Sequence, residues 1–274
     1  MYKRILFALD LEGVNFVVGK PYVPFGTTPD YEVAVKEAVT EINAAAVALF
    51  DAGALKVDVW DNHAGGGNLS QEMLDPRVTL LKVDPKLPRM SFAENKYDCI
   101  CFFGYHTMEG TLGGVLAHTM NSFEYQYYKI NGKYVGEVDL DAAIAAEHNM
   151  PSVFYAGGDL SCKQAKASVP DIVTVVTKKE LSRNEAIFRD NNELLAEIKE
   201  KICLAVSKEV SFRRFDFPLV FEKSFKRVET AAEFMEHCVS TKLDADYLSD
   251  EIMGKDGRTV VINIKNIDEF LKVI

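Results

Sequence analysis

Short apolar runs alternate along the chain with longer stretches in which apolar residues recur every three or four positions. RILFALD (4–10) is apolar through its middle and fits a strand buried on both faces. From Tyr31 to about Ala52, Val35, Val39, Ile42 and Ala46 fall at helical spacing, with Asp30 placed to cap the helix. LKVDVWD (55–61), VTLLKV (78–83) and YDCICFFGYH (97–106) read as further strands. Continuous apolar strands separated by helices predict an α/β fold, a mostly parallel sheet flanked by helices.

The rhythm breaks at YYKINGKYVGE (127–137), where Asn131-Gly132 between β-forming residues predicts a hairpin. A helix over DLDAAIAAEH (139–148), a strand at PSVFYAGGD (151–159), a short helix and a strand at DIVTVVT (171–177) follow. A long helical stretch is predicted from about Asn184 to Ser207. FRRFDFPLVFEK (212–223), with Pro218 between aromatic-rich pieces, looks like a boundary. Beyond it lie a helix near TAAEFMEHC (230–238), a strand at RTVVINI (258–264) and a helix at Ile267–Val273. The expected division is a catalytic α/β domain over 1–207 and a smaller α+β region over 208–274.

The 274 residues are 48% hydrophobic and 26% charged, enough for a sizeable core. A net charge of −10 disfavours nucleic acid and anionic membrane as partners. No apolar run approaches the roughly 18 residues of a membrane span, and Asp10 interrupts the N-terminal run too early for a signal peptide. A cytoplasmic protein is expected. The five cysteines include no CxxC, and Cys99 and Cys101 flank Ile100 in an apolar run, which predicts buried thiols.

Three predicted strands end in polar residues: Asp10 and Glu12 after the first, Asp61 and His63 after the second, His106 after the fourth. In open parallel sheets the carboxyl ends of the strands form the ligand crevice, so these residues converge in space. Asp10 and Glu12 share a face in extended chain and repel each other unless a cation or proton intervenes. Carboxylates with histidines suit zinc. The glycines of WDNHAGGGNLS (60–70) first suggest a phosphate cradle, but neither AGGGN nor GTLGG forms G-x-G-x-x-G after a strand.

DLEG (10–13), DNH (61–63), GYH (104–106), HTM (118–120) and VGE (135–137), in this order, resemble the D-aminopeptidase family, dinuclear zinc peptidases associated with dipeptide-transport genes. The resemblance spans Ile5 to about Thr177 and continues weakly to the end. It implies an α/β domain with a smaller appended domain, assembled into homo-oligomeric rings. It also implies two zinc ions per subunit on Asp10, Glu12, His63, His106 and Glu137, with His118 as the catalytic residue. Three carboxylates, two zinc ions and one hydroxide balance to a neutral buried cluster. The implied activity is two-metal removal of N-terminal residues, D-amino acids by family expectation, from short peptides or amides. His118 then either donates a proton to the leaving amine or attacks directly.

The chain departs from the family at the glycine-rich turn Gly65–Gly67 and at Val14-Asn15, both near the expected pocket, which puts substrate preference in question. Asp61 and Asn62 are expected to support the turn or the ligands. Lys129, Lys133 and Arg183 are candidates for a peptide carboxylate but fit solvated surface charges better. A dinuclear metallophosphoesterase is a competing reading, weakened because the chain has Asp10-x-Glu12 and His63-Ala64 where such enzymes carry Asp-x-His and Asn-His-Glu. A non-catalytic oligomeric binding protein is another, and it predicts no bound metal.

Overall fold

The computed structural model describes residues 1–84 and 86–274. In chain order its elements are β1 (Arg4–Leu9), α1 (Asp30–Asp51), β2 (Lys56–Asp61), β3 (Thr79–Leu80), β4 (Cys99–Tyr105), β5 (Tyr125–Ile130), β6 (Lys133–Val135), α2 (Glu137–Glu147) and β7 (Ser152–Gly157). They continue with α3 (Asp159–Ser168), β8 (Val173–Val176), β9 (Lys178–Ser182), β10 (Glu185–Phe188), α4 (Asn191–Ser207), β11 (Leu219–Phe225), α5 (Val228–Ser240), β12 (Asp244–Asp250), β13 (Gly254–Ile264) and α6 (Ile267–Phe270). The chain divides into two units. One comprises Met1–Thr107, Leu112–Leu116 and Asp141–Arg214, the other Met108–Thr111, Ala117–Leu140 and Phe215–Ile274.

The first unit is built on a six-stranded sheet in the order β3-β2-β1-β4-β7-β8, and every pairing in it is parallel. The strands are apolar and buried on both faces, as continuous apolar runs require. Chain order runs outward from β1 through β2 to β3, then restarts on the other side of β1 with β4. That reversal makes the gap between the carboxyl ends of β1 and β4 a topological switch point, the usual ligand crevice of such sheets.

Helix α1 buries Ala34, Ala38, Ile42, Ala45, Ala46 and Leu49 and packs against α4. Asp30 does not cap it, since Pro29 holds that position. Its carboxylate instead accepts the amides of Val18 and Gly19, tying the preceding loop to the helix.

Between Lys178 and Phe188, inside and just before the predicted helix, the chain forms the β9–β10 hairpin. Asp190 caps α4 by accepting from the amides of Asn192 and Glu193, so the helix begins at Asn191 rather than Asn184. Cys99, Cys101, Cys162 and Cys238 are buried thiols.

The second unit is a five-stranded antiparallel sheet in the order β12-β13-β11-β5-β6, with α5 and α6 packed on it. The expected hairpin is present, with Asn131 (φ 49°) and Gly132 (φ 76°) in the left-handed conformations that a tight two-residue turn demands. The sequence-based division at 207/208 assigned residues 117–140 to the larger piece. Here β5 pairs with β11, so that segment joins the C-terminal residues. Strands β11 and β12 were not predicted: Pro218 masked the first, and the acids of DADYLSD (244–250) the second.

No helix among the described residues is long and apolar enough to cross a membrane.

Candidate metal centre

Asp10 and Glu12 follow β1 directly. Their loop reaches β4 through two backbone bonds, from the Asp10 amide to the Phe103 carbonyl and from the Gly13 amide to the Gly104 carbonyl. Such close approach leaves no room for side chains. A Cβ on Gly104 would collide with the Asp10 carbonyl, and one on Gly13 with the Tyr105 carbonyl. Gly104 also holds φ at 69°. Gly104→Ala is therefore expected to destabilise the fold by about 2–5 kcal/mol, strain and clash acting together. A denaturant midpoint unchanged from wild type would contradict this.

His63 and His106 close on the two carboxylates. His63 Nδ1 lies 2.9 Å from Asp10 Oδ1 and 3.1 Å from Glu12 Oε2. His106 Nε2 lies 3.3 Å from Asp10 Oδ2. The His106 Nδ1–H donates to the Thr107 carbonyl at 2.9 Å, which assigns the proton to Nδ1 and turns Nε2 toward Asp10. Both carboxylates are buried, each 4% exposed.

The electrostatics follow. Burial disfavours a charged Asp10, yet hydrogen bonds and charge from His106 and His63 hold its carboxyl well below the usual carboxylate range. Burial likewise opposes protonation of His63, but the Glu12 charge and the bonds to Asp10 and Glu12 lift it to about 11. The cluster thus demands positive charge at the point where His63 meets the two acids.

The donor set fits a metal. Asp10, Glu12 and His63 each offer a ligand atom, all within 4.8 Å of one another. Ligand atoms sharing a tetrahedral zinc at about 2.0–2.2 Å stand about 3.3–3.6 Å apart. The 3.3 Å separation matches that spacing, and the 3.1 and 2.9 Å ones are shorter, contacts that a bound ion would open slightly.

Supporting residues surround the set. Asp61 does not face the cluster; it accepts from the amides of Asn68 and Leu69 and from Asn68 Nδ2, shaping the turn. Asn62 Nδ2 donates to the Tyr105 hydroxyl at 3.0 Å, and that hydroxyl donates to Asp141 at 2.7 Å. Arg89 pairs with both oxygens of Asp141. This buried chain ties the residue before His63 to the residue before His106. Its one sequence signal is Asp141, an acid in an otherwise apolar helix face. Gly65, Gly66 and Gly67 all adopt positive φ, and a Cβ on Gly65 or Gly67 would meet nothing within 4 Å. The turn is open, and its glycines serve conformation rather than packing.

Two further candidates belong to the second unit. Glu137 opens α2, directly after the β5–β6 hairpin, and its Oε1 accepts from the Met120 amide at 2.7 Å. His118 Nε2 lies 4.0 Å from that same oxygen, and both side chains are largely buried. Lys129 is engaged by Glu222 and by the rings of Tyr127 and Tyr134, while Lys133 and Arg183 are exposed.

Comparison with known proteins identifies the relatives of the chain. A D-aminopeptidase of Bacillus subtilis (strain 168) is 29% identical over 182 residues, 66% of this chain and 65% of that protein's length. The solved structure of the Zn-dependent D-aminopeptidase DppA from Bacillus subtilis, a self-compartmentalizing protease, shares the fold. It matches with a TM-score of 0.82 and 24% identity over 98% of this chain and 94% of its own. A family model described as D-aminopeptidase matches residues 3–274, nearly the whole sequence. The chain belongs to the D-aminopeptidase family.

Proposed function

We propose that the chain is a zinc-dependent aminopeptidase that removes N-terminal residues, D-amino acids in particular, from short peptides or amides by a two-metal mechanism. The observation that carries this reading is the meeting of Asp10, Glu12, His63 and His106 at the switch point beyond β1, β2 and β4. Family membership supports it, as do the names of the two Bacillus subtilis relatives.

In this proposal Asp10, Glu12, His63, His106 and Glu137 hold two zinc ions, and His118 is the catalytic residue. Bound zinc supplies Lewis acidity toward the scissile carbonyl and lowers the pKa of water from about 15.7 toward about 7. The protein's own part is orientation and proton transfer. Thr107 fixes the His106 tautomer, and Asp10 is held well below the usual carboxylate range by His106 and His63. His118 Nε2 carries the proton that the leaving amine needs. The relative described as self-compartmentalizing supports a homo-oligomeric ring acting on peptides small enough to enter it; a cytoplasmic location is part of the same proposal.

The test is a paired assay with added zinc, free amino acid released from a D-Ala-containing dipeptide against hydrolysis of a chromogenic phosphodiester. Peptide hydrolysis alone is expected. Turnover of the phosphodiester without peptide hydrolysis would move the chain to the metallophosphoesterases, and neither activity would favour a binding protein.

A further inference from the structure

The loop after β1 carries two proposed zinc ligands, yet much of its backbone lies outside the sheet ladder. One side chain gathers it. Lys178, the first residue of β9, sends its Nζ to the carbonyl oxygens of Glu12 (2.6 Å), Val14 (2.9 Å) and Val17 (2.5 Å). Thr177, one residue earlier, donates its hydroxyl to the Gly13 carbonyl at 2.5 Å. Four carbonyls of a six-residue stretch are therefore held from one strand end.

Lys178 is 1% exposed. An ammonium has three N–H donors and no acceptor, and three carbonyls use all of them. Lys178 is thus not available to give a proton to a substrate, and its role is geometric. A buried ammonium is tolerated only where charge and hydrogen bonds compensate it. Burial pulls the Lys178 ammonium down to about 8, against the charges of Glu180, Glu41, Glu12 and Asp30, which favour its charged form, so the three carbonyl bonds carry much of the compensation. The neighbouring acids are themselves fixed. Glu180 accepts from the amides of Val115 and Leu160, and Glu41 from the amide of Asn15.

We propose that Lys178, assisted by Thr177, is the positioning residue of the metal centre: it clamps the Glu12, Val14 and Val17 carbonyls and so aims the Asp10–Glu12 pair at the ion. This inference rests on the zinc-peptidase reading. Partners that orient ligands typically govern metal affinity by about 10–100-fold.

The test is calorimetric titration of the metal-free, full-length protein with zinc alone. Wild type, Lys178→Met, Thr177→Val and Leu194→Ala are compared, each with a melting temperature. Leu194 lies in the core of α4 and serves as the control for simple destabilisation. Lys178→Met is expected to bind zinc about 100-fold more weakly and Thr177→Val about 10-fold more weakly. Leu194→Ala is expected to melt lower with zinc affinity unchanged. Should Lys178→Met not fold, the near-isosteric Thr177→Val decides. Zinc affinity within twofold of wild type in the folded clamp variants overturns the proposal, as does an equal loss in Leu194→Ala. Failure of wild type to bind zinc would instead sink the parent reading, so the two failures are told apart.

Discussion

Asp10→Ala is expected to strip the chain of zinc and reduce peptide hydrolysis to background. The Asp10 carboxylate touches His63 through one oxygen and His106 through the other, so it joins both histidines. Removing it subtracts a ligand and a negative charge from a buried cluster that depends on both. Loss of a partner that only orients a ligand costs about 10–100-fold in metal affinity, and loss of a proposed ligand that contacts both histidines should exceed that. The fold should survive, because the bond from the Asp10 amide to the Phe103 carbonyl involves backbone alone. Zinc per chain after gel filtration, read beside circular dichroism, checks this. A folded variant with wild-type zinc content would remove Asp10 from the ligand set.

His118→Ala is expected to do the opposite: keep its zinc and lose its rate. General acid–base groups contribute about 10²–10⁴-fold to catalysis, and a fall in kcat of that size is predicted. His118 lies in the second unit, in the stretch between Leu116 and Met120, both of which adopt positive φ (49° and 63°). Its Nε2 is 4.0 Å from Glu137 Oε1. Truncation therefore leaves the backbone contact from Met120 to Glu137 in place. Steady-state rates per bound zinc separate this outcome from metal loss. An active, zinc-loaded variant would assign the proton transfer to another group.

The parallel sheet and its polar strand ends were legible because their signals are local. A buried parallel strand reads as an unbroken apolar run, and the residue that follows it is easily marked. Asp10, Glu12, His63 and His106 are therefore marked by the sequence alone, and the structure brings these four together. What escaped notice acts over distance. Lys178 lies more than 160 positions from the carbonyls it clamps and looks like one of two adjacent surface lysines in VVTKKE (175–180). Gly104 makes room for the Asp10 carbonyl and Gly13 for the Tyr105 carbonyl, which no spacing rule reveals. Strand β10 falls inside the predicted helix because the helical pattern of α4 extends backward past its capping acid, Asp190. The pairing that joins residues 117–140 to the C-terminal strands is not legible locally, because β5 and β11 pair across more than 80 residues, a partnership that neither strand announces.

The central claim is a two-zinc peptidase site, and one titration tests it most directly. Metal-free protein is given zinc in steps while release of D-alanine from a D-Ala dipeptide is followed, with the L-Ala dipeptide in parallel. The account predicts no activity without metal, a rise that saturates near two equivalents per chain, and preference for the D-substrate. Full hydrolysis by the metal-free protein, or saturation with zinc bound and neither dipeptide cleaved, would contradict it.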